Sequence, residues 1–277
     1  MSRSSKIKNL FLVENTGERI FSLLEIWWNR RFYSTPISRT SSLDFSDFVL
    51  RLRSSQPFLS ELLEPSGAAE AAVASIRRGF SQTIQQETIL FPLFFNADIS
   101  FAMLCYGIAL ARKPAVAVEA GIGYGIISAT VLEAMQKNEK GRLLSIDLPP
   151  LGDPSGSLIG IAVPYSLRHR WEGGYRGGVR KWLPVILSKE QSIDLYISDS
   201  ANVFTLERHE FLAVWPKLSP GGVMIFNNVN QKFYAFLQKK DNMELHIVRQ
   251  IEKSSCTTAI IFKTNEHELS QHRRIKS

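Results

Sequence analysis

Glu119, Gly121, Gly123, Gly125 and Asp147 are the residues whose types and spacing could do chemistry together. Gly121 suits a tight turn, while Gly123 and Gly125 let backbone approach a ligand and let a helix pack close to a strand. Tyr124 lies within the same turn. An acid at the carboxyl end of the next strand can accept both hydroxyls of a ribose, and Asp147 is placed to do so. The set reads as a nucleoside-binding site. Farther on, Asp199 closes another apolar run, Asn202 follows it, and Tyr175 stands among glycines where an intervening strand should end. All three side chains can accept hydrogen bonds.

Strands and helices must position these groups. A strand buried on both faces is a short, continuous apolar run, and Ala115 to Val118 is one. Glu119 to Gly125 then reads as the turn, Ile126 to Met135 as an amphipathic helix, and Leu143 to Ile146 as the second strand. Ile193 to Ser198 is the fourth strand, followed by a helix over 203–216. A Ser219 to Gly222 turn leads into the fifth strand, Val223 to Phe226, which ends in Asn227 and Asn228. A helix over about 231–239 and strands at Met243 to Val248 and Thr257 to Lys263 complete the pattern. Between the second and fourth strands, Arg168, Arg170, Arg176, Arg180 and Lys181 face only Glu172, and glycines at 173, 174, 177 and 178 predict irregular backbone. Such a cationic loop either receives a carboxylate or is solvated surface.

Upstream, helices are expected at Asp44 to Leu52, Phe58 to Leu63 and an Ala-rich run to Phe80, with a last one capped by Asn96 or Asp98 and running through Leu110. They suit a cap over the nucleoside site that holds acceptor-binding residues. Arg19 to Tyr33 carries Ile20, Phe21, Leu23, Leu24, Ile26, Trp27 and Trp28 on one helix candidate, which must bury them somewhere. Packing on the main domain or on a sister subunit, as a homodimer, is one reading; contact with a membrane surface, given the flanking cations, is the other. The chain thus divides into a helical segment or cap (1–112), a nucleoside-binding domain (113–264) and a polar tail (265–277).

The 277 residues are 44% hydrophobic and 21% charged, which excludes disordered and fibrous classes. The net charge of +7 is spread along the chain, so a nucleic-acid partner is allowed but not indicated. Cys105 and Cys256 lie far apart in apolar surroundings and imply neither a disulfide framework nor a metal knuckle. The apolar stretch Asn9 to Val13 is too short for a signal-peptide core, and no apolar run approaches the ~18 residues of a membrane span. These features point to a cytoplasmic protein.

The glycines fall at the first, third and fifth positions, with an acid before them, whereas the dinucleotide fingerprint needs the first, third and sixth. This ExGxGxG pattern resembles the class I S-adenosylmethionine (SAM) dependent methyltransferases. DLPPL after the second strand, VPxxLRxRW, the strand-end Asp199 and the LxPGG turn are similar to the small-molecule O-methyltransferase group, with the likeness covering roughly 115–263. The resemblance implies an α/β, doubly wound, Rossmann-like seven-stranded sheet with one antiparallel edge strand, and SAM lying across the carboxyl ends of the first and fourth strands. It implies that Gly121 and Gly123 line the cofactor with Tyr124 and Gly125, that Glu119 orients the methionine end, that Asp147 binds ribose, and that Asp199 faces the reacting centre.

Departures from the family pattern bear on the chemistry. Gly177, Gly178 and Val179 replace a common GDS, Ser198 to Asn202 replaces a pattern like HDSDH, and Asn227 and Asn228 replace a pair that normally contains Asp. In metal-dependent relatives the strand-four Asp and that later pair hold magnesium; hard cations want charged oxygens, so with only Asp199 charged no metal is expected. His169 and His209 remain as general-base candidates without positional support. The leading expectation is metal-independent methyl transfer to a small molecule in specialised metabolism, where the cofactor carries the chemistry and the protein supplies orientation. A rival is intramolecular cyclisation of SAM to azetidine-2-carboxylate with release of methylthioadenosine, the amine held by Asp199, Asn202 and Tyr175. A third is a SAM-binding scaffold without catalysis.

Overall fold

The computed structural model describes residues 35–84, 96–149 and 156–264, together with eight helical positions within residues 17–28. The polar tail lies outside the described residues. Seven strands form one sheet: β1 (Val116–Ala120), β2 (Arg142–Asp147), β3 (Trp171–Arg176), β4 (Ile193–Ser198), β5 (Leu218–Phe226), β6 (Met243–Arg249) and β7 (Thr257–Lys263). Their order is β3-β2-β1-β4-β5-β7-β6. The order reverses between β1 and β4, which makes the carboxyl ends of these two strands the switch point where ligands bind in open α/β sheets. β7 runs antiparallel to both β5 and β6 and so stands one place in from the edge.

Side chains of a strand alternate between faces, and the core splits accordingly. Ala117, Leu143, Leu195 and Ile225 join one hydrophobic cluster; Val118, Leu144, Tyr196 and Met224 join the other. The first cluster is covered by α1 (Phe45–Ser55), α2 (Pro57–Leu63), α3 (Ala68–Ile84), α4 (Ile99–Arg112) and α5 (Ile126–Lys137). The second lies under α6 (Val179–Lys189), α7 (Phe204–Val214) and α8 (Gln231–Leu237).

Two expectations change here. α5 is not amphipathic in its setting, because nearly all of Ile126 to Met135 is buried; α3 and α4 pack over the side that would otherwise meet water. The upstream helices form a layer over this cluster, with Ser100 to Ala109 of α4 buried without interruption. Gly107 permits this closeness, since a Cβ there would come within 3.0 Å of Leu63 and 3.1 Å of Leu59. The glycine-rich stretch also proves more regular than expected. Gly173 and Gly174 lie inside β3, where the indole of Trp171 folds over Gly173 so closely that a Cβ would approach it to 2.4 Å.

Candidate functional site

β1 runs on through Glu119 to Ala120, so the turn begins at Gly121 rather than at Glu119. Gly121 N donates to Ile146 O at 2.9 Å, and Asp199 N donates to Ala120 O at 2.7 Å, which draws the ends of β1, β2 and β4 together. Gly121 has φ +91°, and a Cβ there would fall 2.2 Å from the Asp199 carbonyl oxygen. The close approach that demands glycine is therefore that of β4's own end. Gly125, φ +88°, precedes α5 and faces Gly160 in the segment that follows β2. That segment is tied to the turn by Gly160 N donating to Gly123 O (3.0 Å) and Ala162 N to Tyr124 O (2.8 Å). The Tyr124 ring is buried in the helical layer, 5.2 Å from the Phe80 ring.

Asp147 closes β2 and reaches back to this turn: its Oδ2 accepts from Ile122 N at 3.0 Å and Gly123 N at 2.7 Å. Burial pushes its carboxyl up to about 6, against the pull of the Gly123, Ile122 and Leu148 N–H groups and of Arg176. Glu119 lies on the α5 side of β1, fully buried. Its Oε2 accepts from Ser128 Oγ of α5 and Ser145 Oγ of β2, both at 2.6 Å, and Ser145 Oγ in turn accepts from Trp171 Nε1 at 3.0 Å. Oε1 is buried without a hydrogen-bond partner. Burial pushes this carboxyl up to about 8, so at neutral pH it is a protonated acid bracing β1, β2 and α5.

Asp199 follows β4 on the other side of the turn. Its Oδ1 accepts from Asn227 Nδ2 at 2.6 Å, and Asn227 Oδ1 accepts from Gln250 Nε2 at 2.5 Å. Burial pushes Asp199 up to about 7, offset in part by Asn227 and by the charge of Lys253. Lys253 belongs to the β6–β7 loop and donates through Nζ to Asn96 O at 2.7 Å. Asp98 caps α4 by accepting from Ser100 N, and its Oδ2 accepts from Glu252 N and Lys253 N, each at 2.8 Å, so it anchors that loop. Gln250, Lys253 and Asp98 thus support the Asp199 side of the site. Only Asp98 had a signal in the sequence, as a helix cap, since a glutamine and a lysine in a loop look like solvated surface.

Asn227 turns its amide nitrogen to Asp199, and its oxygen is taken by Gln250, so it sets no free oxygen beside Asp199. This donor set does not fit a hard cation. Among the described residues no group of three His, Cys, Asp or Glu side chains converges for a metal. Asn202 lies exposed in the loop after β4. Tyr175 is not brought to Asp199: β3 stands three strands away, about 14 Å at the usual strand spacing. Its ring meets Trp182 edge-on at 5.5 Å, with Lys189 Nζ 5.7 Å from the ring centre. His169 holds Ser166 O on an exposed turn. His209 faces a groove of about 620 Å³ on the outer side of α7, lined also by Arg180, Phe204, Thr205, Arg208 and Leu212. The cationic stretch is engaged with its own chain: Arg168 stacks on Trp171, Arg170 donates to Gln136 and Gly141 O, and Arg180 donates to Glu25. Beneath the loop after β4, Ser200 Oγ donates to buried Glu210 at 3.0 Å, a support with no signal in the sequence.

Residues 118–229 match a family model described as a methyltransferase domain. No curated protein matches the chain. Solved structures share its fold. The O-methyltransferase TomG from Streptomyces achromogenes, involved in tomaymycin synthesis and solved with SAM, is 18% identical over 78% of this chain and 98% of its own, with a TM-score of 0.53. The Podospora anserina methyltransferase PaMTH1, solved with SAH, is 14% identical over 69% of this chain and 88% of its own, with a TM-score of 0.51. An O-methyltransferase from Bacillus cereus, in complex with SAH, is 13% identical over 78% of this chain and 100% of its own, also at 0.51. The strand order, the glycine turn and Asp147 all fall in or beside the stretch 118–229 that matches the methyltransferase-domain model, on a fold shared with these methyltransferase structures.

Proposed function

We propose that the protein binds SAM over the glycine turn, between the carboxyl ends of β1 and β4, and transfers its methyl group to a small molecule without a metal ion. The observation that supports this reading is Asp147 at the carboxyl end of β2, which holds the N–H groups of Ile122 and Gly123 of the glycine turn; an acid at such a strand end is the type of group that binds ribose hydroxyls. SAM supplies an electrophilic methyl group on its sulfonium. The chain's part is to orient the acceptor in line with that methyl and to take its proton. Asp199 is the group for the proton: with its pKa raised to about 7 it is partly ionised at neutral pH, and Asn227 fixes its orientation. A role in specialised metabolism is supported by the likeness to TomG.

The test begins with calorimetric titration of SAM into the purified protein. Mass spectrometry then follows SAM with and without a panel of small hydroxyl acceptors. The expected result is a binding heat and S-adenosylhomocysteine formed only when an acceptor is present. Methylthioadenosine at catalytic turnover without any acceptor would replace methyl transfer by the cyclisation chemistry, and the absence of a binding heat would remove the SAM site itself.

A further inference from the structure

In the layer of α6, α7 and α8, the exposed charged side chains of the helices are all cationic. Lys181, Lys189, Arg208 and Lys232 are exposed on these helices, while the acids the same helices carry, Glu207 and Glu210, are buried at 2% and 0% exposure. Several cations are seated on aromatic rings of the layer, which holds the charged heads at the surface: Lys181 on Trp182 at 5.3 Å, Lys232 on Phe204 at 5.1 Å and Arg208 on Phe236 at 5.8 Å. Just past the helix ends, Glu190 is held by Arg142 at 2.7 Å, and exposed Asp241 follows exposed Lys239 and Lys240.

The described helical positions within residues 17–28 dock on this same layer through Glu25 and Phe21. Glu25 accepts from Arg180 of α6 and Thr205 of α7, and Arg180 lies 5.8 Å from the Phe21 ring centre. What the helix keeps toward solvent is its apolar stripe. Ile20, Leu24, Trp27 and Trp28, at the i, i+4, i+7 and i+8 spacing of one helix face, are 36%, 60%, 63% and 50% exposed, and Leu212 of α7, in the groove that also holds Arg180 and Thr205, is 42% exposed. An ordinary amphipathic helix docked on a globular core would turn this stripe inward. Here Glu25 makes the hydrogen-bonded attachment while Trp27 and Trp28 stay exposed. Arg30 and Arg31 follow Trp28 in sequence, with Asn29 between.

We propose that this face docks on an anionic lipid surface, with Ile20, Leu24, Trp27 and Trp28 entering the interfacial zone and the cations of α6–α8 meeting lipid phosphates. Indole rings favour the boundary between headgroups and acyl chains, and basic residues beside them supply the attraction to negative lipid. The attachment is to one leaflet: among the described residues no helix is long and apolar enough to cross a membrane. The inference is independent of the methyl-transfer reading and does not use the residues of that site.

Flotation of the full chain with phosphatidylcholine vesicles, with and without phosphatidylglycerol, tests it. The wild type is expected to float with the phosphatidylglycerol vesicles at low salt, with a blue shift of tryptophan emission, and to lose at least tenfold in partition as salt is raised or phosphatidylglycerol is omitted. Leu24→Ser/Trp27→Ser and Lys181→Glu/Arg208→Glu/Lys232→Glu are each expected to lose at least tenfold while keeping the wild-type circular-dichroism melt. Failure of the wild type to float with either vesicle would overturn the proposal. So would a lipid-free dimer in sedimentation that Leu24→Ser/Trp27→Ser converts to monomer, because the stripe would then belong to a second copy of this chain.

Discussion

Replacing Glu119 by Gln should change how stability depends on pH, and the structure sets the size of the change. The carboxyl group is fully buried, accepts two serine hydroxyls at one oxygen, has no partner at the other, and is pushed by burial from its ordinary 4.5 up to about 8. In the unfolded chain it is ionised above about pH 5, whereas the folded protein keeps the proton to about pH 8. Over that window the folded state binds one proton more, so its stability falls as pH rises, by about 1.4 kcal/mol per pH unit from this group alone. The group's favourable contribution is complete below the unfolded value and is lost as pH climbs through the folded one. Gln keeps the shape and an oxygen for Ser128 and Ser145 but has no proton to lose. Urea unfolding of both proteins at several pH values should therefore show Glu119→Gln gaining on the wild type by about 4 kcal/mol between about pH 5 and pH 8. Asp147 and Asp199, also raised by burial, steepen both curves and largely cancel in the difference. A gap between the two proteins that stays constant across the window would refute the assignment of a neutral Glu119.

Gly121→Ala places a Cβ 2.2 Å from the Asp199 carbonyl at φ +91°, so a loss of more than about 2 kcal/mol is expected in urea unfolding, together with weakened SAM binding. Asp147→Asn keeps an acceptor for the Ile122 and Gly123 N–H groups but weakens the ribose contact; calorimetry should show SAM binding at least about tenfold weaker with the melting temperature little changed. Asp98→Ala removes the α4 cap and leaves the N–H groups of Glu252 and Lys253 without their acceptor, which should cost about 2–4 kcal/mol by thermal or urea unfolding. Asp199→Asn should abolish the rise in methyl-transfer rate through about pH 7 that the wild type owes to ionisation of this group, read from the pH profile once an acceptor is known.

Strand ends were legible because local pattern determines them. An apolar run that stops at Gly121, Asp147 or Asp199 can only deliver those residues to the carboxyl edge of a parallel sheet, and the structure has them there. Which neighbours each would meet was not local information. Glu119 reads as a turn residue until β1 extends through it, and it becomes a buried neutral acid because α4 and α3, both upstream in sequence, cover α5. Tyr175 reads as a strand-end acceptor, yet the strand order puts β3 on the far side of β2 and turns its ring to Trp182. The Asp199 side shows the same limit most clearly. Its supports come from far apart in sequence, Asn96 and Asp98 before α4 and Gln250 and Lys253 after β6, joined by backbone and side-chain hydrogen bonds that no spacing rule connects. Since Asn227 faces Asp199 only while Gln250 holds its other end, the acid's orientation depends on the β6–β7 loop staying anchored at Asp98. Asp98→Ala should then disturb the pH profile assigned to Asp199 as well as stability, a coupling that a purely structural cap would not produce.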